Sequence, residues 1–256
     1  MIIAAFNPKG GVGKTTTAVN VAAVLAHRGK SVLLVDLEAD LNASISLGVR
    51  RGDARPSIME VLLREERASD AVRPVSGVPN LFLITGSGAL AHIDAALRNV
   101  RQPERRLADV IGPLASLFDA IVLDSPAGFS LLALSVPVAA EHLIVPTRAE
   151  YLSLESVAHL LHWYRDRART RGANARIAGI LLTMVDYRRQ ATREIVEIIR
   201  RHNRRGVFQT EVPQDPRAAE APSHGVPLVY YEPRARAAAS YERLTDELLK
   251  RLRDRR

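Results

Sequence analysis

The stretch FNPKGGVGKTTT, residues 6–17, places three glycines and a Gly-Lys-Thr junction between two segments of opposite character. Before it, IIAAF (2–6) is a short apolar run ending at turn residues, the mark of a buried strand. After it, Lys14 to Arg28 carries Val19, Ala22, Ala23 and Ala26 at helical spacing and stops at Gly29. SVLLVD (31–36) is a second apolar run, with β-branched residues and closed by a carboxylate. Strand, glycine loop, helix, strand is a βαβ unit, and its crossover makes the two strands parallel. This unit commits the chain to a layered α/β fold.

The loop also carries chemistry. Gly10, Gly11 and Gly13 let the backbone turn tightly and aim its N–H groups at phosphate oxygens, while the helix N-terminus adds positive potential. Lys14 is placed to reach the β and γ phosphates and Thr15 to offer its hydroxyl to Mg²⁺, with Val12 and Thr16 completing the ATP-binding loop. The pattern G-x-x-x-x-G-K-[ST] is met except that Pro8 stands in place of the first glycine, and a second lysine, Lys9, follows it. A magnesium site of this kind needs carboxylates at the ends of neighbouring strands. Asp36 closes the second strand and Asp124 closes IVLD, so both are expected at one crevice above the strand ends, as metal residues.

The strand grammar recurs. AIVLDSP (120–126), HLIVPT (142–147) and RIAGILLTMVD (176–186) read as buried strands, and 103–117, 151–170 and 190–203 as helices. The expected fold is a single doubly wound domain over 1–256, with a mostly parallel sheet flanked by helices. Residues 48–80, richer in Gly, Pro and charge, read as an excursion over the carboxyl ends of the strands. The last stretch, ASYERLTDELLKRLRDRR, puts Tyr241, Leu244, Leu248 and Leu252 on one helical face, for packing on the sheet or, as the sharper alternative, for a membrane surface.

Composition narrows the chemistry. The chain has 256 residues and no cysteine, which excludes a disulfide framework, a thiolate metal cluster and a cysteine nucleophile. No apolar run approaches the ~18 residues of a membrane span, and IIAAF lacks the basic flank of a signal peptide, so a cytoplasmic protein is expected. The net charge of +8 is mainly arginine, because lysine occurs only at 9, 14, 30 and 250. Guanidinium forks pair with phosphate and suit a polyanion. Residues 186–205, DYRRQATREIVEIIRRHNRR, concentrate seven arginines against Asp186, Glu194 and Glu197. A solvated helix face and a binding face weigh evenly for Arg200, Arg201, Arg204 and Arg205.

KGGVGKTTT resembles the deviant Walker A motif of the ParA/MinD family of partition and positioning ATPases. LLVDLEADLNAS is similar to the family's second motif, FDAIVLDSPAG to its third and LIVPTRAEYLSLESVAHLL to the stretch that follows. GILLTMVD, VPQDPRAAEAPSHGVPLVYYEPRARAAASY and LTDELL resemble the ParA branch in particular, so the likeness spans nearly the whole chain. It implies an ATP- and Mg²⁺-dependent ATPase in which Lys9 reaches across a nucleotide-sandwich homodimer to the partner's phosphates. Lys9, Lys14, Glu38 and Asp124 would then be the catalytic set. Glu38 and Asp40 fall in DLEAD, where the family usually carries a water-orienting aspartate in a D-x-D-P-Q type stretch; Glu38 keeps the carboxylate and adds a methylene. By the same resemblance Met184 and Pro213 lie beside the adenine. Arg188 and Arg217 match DNA-contacting basic positions, and Arg234 and Arg236 are similar in kind. Because the loop begins at the N-terminus, no helix-turn-helix extension is expected, and binding to double-stranded DNA should ignore sequence. The implied partners are a second copy, the nucleoid and a ParB-type centromere-binding protein, with no membrane. A MinD-like membrane-associated positioning ATPase is the alternative. A reductase like the nitrogenase iron protein, or a metal-chaperone ATPase, is disfavoured by the absence of cysteine.

Overall fold

The computed structural model describes residues 1–150, 160, 164, 172–202 and 206–254. Among the described residues eight strands form one sheet: β1 (Ile2–Ala5), β2 (Val32–Asp36), β3 (Arg73–Pro74), β4 (Leu81–Ile84), β5 (Ala120–Asp124), β6 (His142–Arg148), β7 (Arg176–Val185) and β8 (Val207–Pro213). Their order across the sheet is β3-β4-β2-β5-β1-β6-β7-β8, and of these only β3 runs antiparallel to its neighbour.

The continuous apolar runs follow from burial on both faces. Along β1, Ile3 and Ala5 join one core and Ile2 and Ala4 the other; Leu34 and Leu33 part in the same way. The helices Lys14–His27 and Arg236–Arg253 cover the first face, and Arg106–Ile111, Leu131–Ala139 and Gln190–His202 the second. Helices on both faces of a mostly parallel sheet are the doubly wound architecture expected from the sequence.

Several local expectations are corrected. The helix expected over 103–117 is broken into a 3-10 turn, the α-helix Arg106–Ile111 and a second 3-10 turn from Gly112 to Ser116. Pro113 explains the break, since it has no N–H to donate and its ring crowds the preceding turn. Residues 48–80 are more ordered than an irregular excursion. Ala54 and Ile58 do bond to Thr85 just past the end of β4, but the segment then forms the capped helix Ile58–Leu63 and returns as edge strand β3. Strands β4 and β8 and the helix Leu131–Ala139 were not anticipated. Of the helix expected at 151–170, all but residues 160 and 164 lies outside the described residues.

The C-terminal helix packs on the sheet. Tyr241, Leu244 and Leu248 are buried in the core and Leu252 is partly covered. Its polar side completes the edge strand β8: Glu247 accepts the N–H groups of Gln209 (2.8 Å) and Thr210 (2.9 Å). Arg251 lies over the Phe208 ring, 4.4 Å from its centroid, and donates to the carbonyls of Ala178 and Val207. An otherwise open strand edge is thereby covered. Elsewhere, Gly48 (φ 83°) meets Gly225 (φ 68°) backbone to backbone: a Cβ on Gly225 would lie 2.7 Å from the Gly48 α-carbon. This contact joins the chain after the helix Asn42–Ser46 to the turn that follows the helix Pro216–Glu220.

Candidate functional site: a phosphate loop beside three carboxylates and an arginine groove

The loop of residues 7–13 springs from the carboxyl end of central strand β1 and is tied to its surroundings at three points. Asn7 donates from its amide to the Pro146 carbonyl (2.8 Å) and accepts the Lys9 N–H (3.0 Å). Gly128 N–H donates to the Pro8 carbonyl (2.7 Å), and the Thr183 hydroxyl to that of Val12 (2.9 Å). Gly11 (φ 69°) and Gly13 (φ 84°) adopt the left-handed region, which explains why glycine stands there. A Cβ at Gly10 or Gly11 would meet nothing within 4 Å, so the loop has an open side.

Lys14 begins the first helix and folds back over the loop, its ammonium donating to the Lys9 carbonyl at 3.2 Å. Burial pushes its pKa down, while Glu38 and Asp124 oppose that shift through their charge. Among the described residues the Lys9 ammonium has no hydrogen-bond or ion-pair partner, and Lys9 is half-buried. Thr15 and Thr16 follow at the helix start, also half-buried.

Asp36 and Asp124 are register partners at the ends of adjacent parallel strands β2 and β5, both fully buried. Their environments differ. Asp36 accepts three bonds: the Glu38 N–H at 3.0 Å on Oδ1, and the Ser44 N–H (2.8 Å) and hydroxyl (2.7 Å) on Oδ2. Both oxygens of Asp124 are buried without a hydrogen-bond partner of ordinary geometry, although the Thr15 side chain is close enough to favour its charged form. Burial raises the Asp124 pKa well above the usual carboxylate range, and the Asp36 charge adds to this. Asp36 is raised less, by burial against the Ser44 and Glu38 bonds. Two orphaned oxygens beside a threonine hydroxyl at a strand end are a fitting place for a hard cation. Among the described residues no three His, Cys, Asp or Glu side chains cluster as a metal cage. Magnesium needs no such cage when phosphates and water supply the other ligands.

Glu38, just past the end of β2, reaches the chain that follows β5, its Oε1 accepting the Ala127 N–H at 2.9 Å. Burial raises its pKa; the Ala127 bond and the Lys14 charge act the other way. Asp40 is exposed, and its carbonyl is held by Arg51 (2.9 Å). Met184, with φ 52°, has its methyl beside Gly13, and Pro213 pairs with Val185 on the adjacent strand, so both lie at one flank of the loop.

Beyond that flank opens a groove whose lining includes Arg188, Arg193, Arg234, Arg236 and Arg243, against Asp186 and Glu211. Three of the four arginines singled out in the sequence thus meet in one place. The fourth, Arg217, lies outside the lining on the neighbouring helix and pairs with Glu220 (2.8 Å). Arg193 and Arg243 were missed, because they stand on different helices that only the fold brings together. Arg200 is engaged within the fold: it pairs with Glu211 and donates to the carbonyls of Phe208 and Gln209. Arg201 pairs with Glu197 on its own helix, and Arg204 and Arg205 lie outside the described residues. Among the described residues no helix is long and apolar enough to cross a membrane.

A glycine loop between a central strand and a helix, with lysine at the junction and carboxylates on the next strands, defines a P-loop ATPase. Comparison with known proteins agrees: a family profile described as an AAA domain matches residues 1–177. The sporulation initiation inhibitor protein Soj of Bacillus subtilis is 35% identical over 96% of this chain and 97% of its own length. The chromosome-partitioning ATPase Soj of Thermus thermophilus is 38% identical over 98% and 96%. Among solved structures, the septum site-determining protein MinD of Pyrococcus horikoshii, complexed with Mg-ADP, superposes with a TM-score of 0.78 at 27% identity, covering 96% of this chain and 95% of that one. The chain belongs to the Soj/ParA family of partition ATPases within the deviant Walker A class.

Proposed function

We propose that this chain is a DNA-segregation ATPase, a single P-loop domain that uses ATP and Mg²⁺ to switch its hold on DNA. In this reading the loop residues 9–16 bind the triphosphate, with Met184 and Pro213 flanking the adenine. Thr15 and Asp124 hold the cation, which neutralises phosphate charge when bound. Lys14 contacts the phosphates of its own subunit. Lys9, whose ammonium is uncommitted among the described residues, reaches those of a second copy, so that ATP brings two chains together. A cation supplied in trans stabilises charge on the transferring γ-phosphoryl as an arginine finger does. Glu38 orients the attacking water, and hydrolysis, stimulated by a ParB-type partner, releases the dimer from the nucleoid.

The observation that carries the DNA reading is the groove: five arginines against two acids, directly beside the nucleotide flank. With no base-reading element assigned to it, it suits phosphates of any sequence. The membrane alternative has less support, since the apolar face of the C-terminal helix is already buried.

The test is binding to a random-sequence duplex with ADP and with a non-hydrolysable ATP analogue over a salt series. Tight binding in the ATP-like state alone, with log affinity falling by about 0.9 per decade of salt for each phosphate contacted, is expected. No DNA binding in either state would overturn the reading and direct attention to lipid vesicles.

A further inference from the structure

Asp36 and Asp124 occupy equivalent places on adjacent strands, yet of the two only Asp124 has uncommitted oxygens. Asp36 spends its lone pairs on the backbone of Glu38 and on Ser44. Ser44 is fully buried, and its hydroxyl is used twice: it donates to Asp36 Oδ2 and accepts the Gly86 N–H at 3.1 Å. Gly86 in turn closes on Glu38 from the other side. A Cβ there would lie 2.6 Å from the Glu38 carbonyl oxygen and 3.0 Å from Asp36 Cγ, so the loop after β4 seats against this backbone with no room for a side chain. Glu38 is thus gripped at its N–H by Asp36 and crowded at its carbonyl by Gly86, and the Ser44 hydroxyl bonds to both gripping partners.

We propose that Ser44 is a positioning residue for hydrolysis: through Asp36 and Gly86 it fixes the backbone from which Glu38 reaches the attacking water. The proposal rests on the reading of Glu38 as the water-orienting residue. It also assigns different tasks to the two buried aspartates, Asp124 facing the cation and Asp36 holding the loop. Glutamate has one more rotatable bond than aspartate, so the placement of its carboxylate depends more on a fixed backbone origin. A misplacement of about 1 Å at such a group lowers the rate on the order of a hundredfold.

The experiment compares the full chain with Ser44→Ala, Gly86→Ala, Glu38→Ala and the double variant Ser44→Ala/Glu38→Ala. ATPase kcat and KM are measured with saturating DNA, and nucleotide affinity separately with a fluorescent ATP analogue. The expected result is a kcat roughly ten- to a hundredfold lower in Ser44→Ala and in Gly86→Ala, with nucleotide affinity within about twofold of the parent. Ser44→Ala should have no further effect in the Glu38→Ala background. Loss of nucleotide affinity at unchanged kcat, or an equal added loss on top of Glu38→Ala, overturns the Ser44 proposal alone. A parental rate in Glu38→Ala overturns the reading of Glu38 and the proposal with it. Where Glu38→Ala leaves no measurable rate, amide hydrogen exchange decides. Faster exchange at Glu38 in Ser44→Ala, with β1 and β5 unchanged, supports the proposal, and unchanged exchange at Glu38 overturns it.

Discussion

The ammonium of Lys14 lies 3.2 Å from the carbonyl oxygen of Lys9, so the two lysines of the loop are joined, side chain to backbone, across its open mouth. Of the two, only Lys14 is buried; the ammonium of Lys9 stays uncommitted among the described residues.

That asymmetry separates two functions. Lys14→Ala should weaken nucleotide binding about tenfold to a hundredfold, the loss of a charge-assisted contact. Lys9→Ala should keep nucleotide binding and lose ATP-dependent dimerisation and hydrolysis. Fluorescent-nucleotide titration and sedimentation velocity distinguish the two outcomes.

Arg188 is held in the free protein by a carboxylate. Its Nε and Nη2 donate to the two oxygens of Asp186 at 2.8 and 2.9 Å, and the Asp186 carboxyl is held down at about 2, chiefly by this bond. Asp186 therefore occupies the fork that a phosphate would take. Asp186→Asn should tighten binding to a random duplex severalfold and add up to about 1 to the salt slope. Weaker binding would show that Asp186 aims Arg188 instead of competing for it. Arg188→Glu should abolish DNA binding with dimerisation intact.

The helix Ile58–Leu63 is closed by a capping box in which Ser57 and Glu60 bond reciprocally, with Arg55 on the outer side of Glu60 (2.7 Å). Burial pushes the Glu60 pKa up, but the Ser57 hydroxyl and amide and the Arg55 guanidinium outweigh it and bring it from 4.5 to about 2. The folded value is depressed, so this contribution is complete above the unfolded pKa and is lost as pH falls from about 4.5 towards 2. Glu60→Gln should cost about 1–3 kcal/mol at pH 7 and flatten the acid limb of stability relative to the parent. Thermal unfolding from about pH 2 to 7 measures both.

Arg251 joins the C-terminal helix to β7 and β8 through two carbonyls and the Phe208 ring. Arg251→Ala leaves both carbonyls without this donor and removes the stacked guanidinium. A loss of about 2–3 kcal/mol is expected, read as a lower urea midpoint at unchanged slope.

How much of this was legible in the sequence depends on where each constraint originates. The glycine loop, Lys14 and the closing aspartates could be read because consecutive residues impose them on one another. Strand β4, LFLI, is as long and as apolar as β1 and was open to the same reading, whereas β8 reads as VFQTEVP, interrupted by polar residues because it lies at the sheet edge. The partner that completes that edge, Glu247, stands 38 positions beyond Gln209 and leaves no mark on the strand's own pattern. β8 lacks the continuous apolar run that marks a buried strand. Arg193 lay within the arginine-rich stretch 186–205 but nothing in that stretch set it apart, and Arg243 and Ser44 carried no local signal: Arg243 joins Arg193 in one groove only through the fold, and Ser44 acquires its task from Gly86, 42 positions away.

The meeting of Gly48 and Gly225 has a mechanical consequence. Side chains take up small displacements by changing rotamer, and most packed contacts therefore have some give. Two bare backbones lack that means of adjustment. The chain that leaves Ser44 and the turn that follows Arg217 touch with no side chain between them, so a side chain added at Gly225 must push the two segments apart.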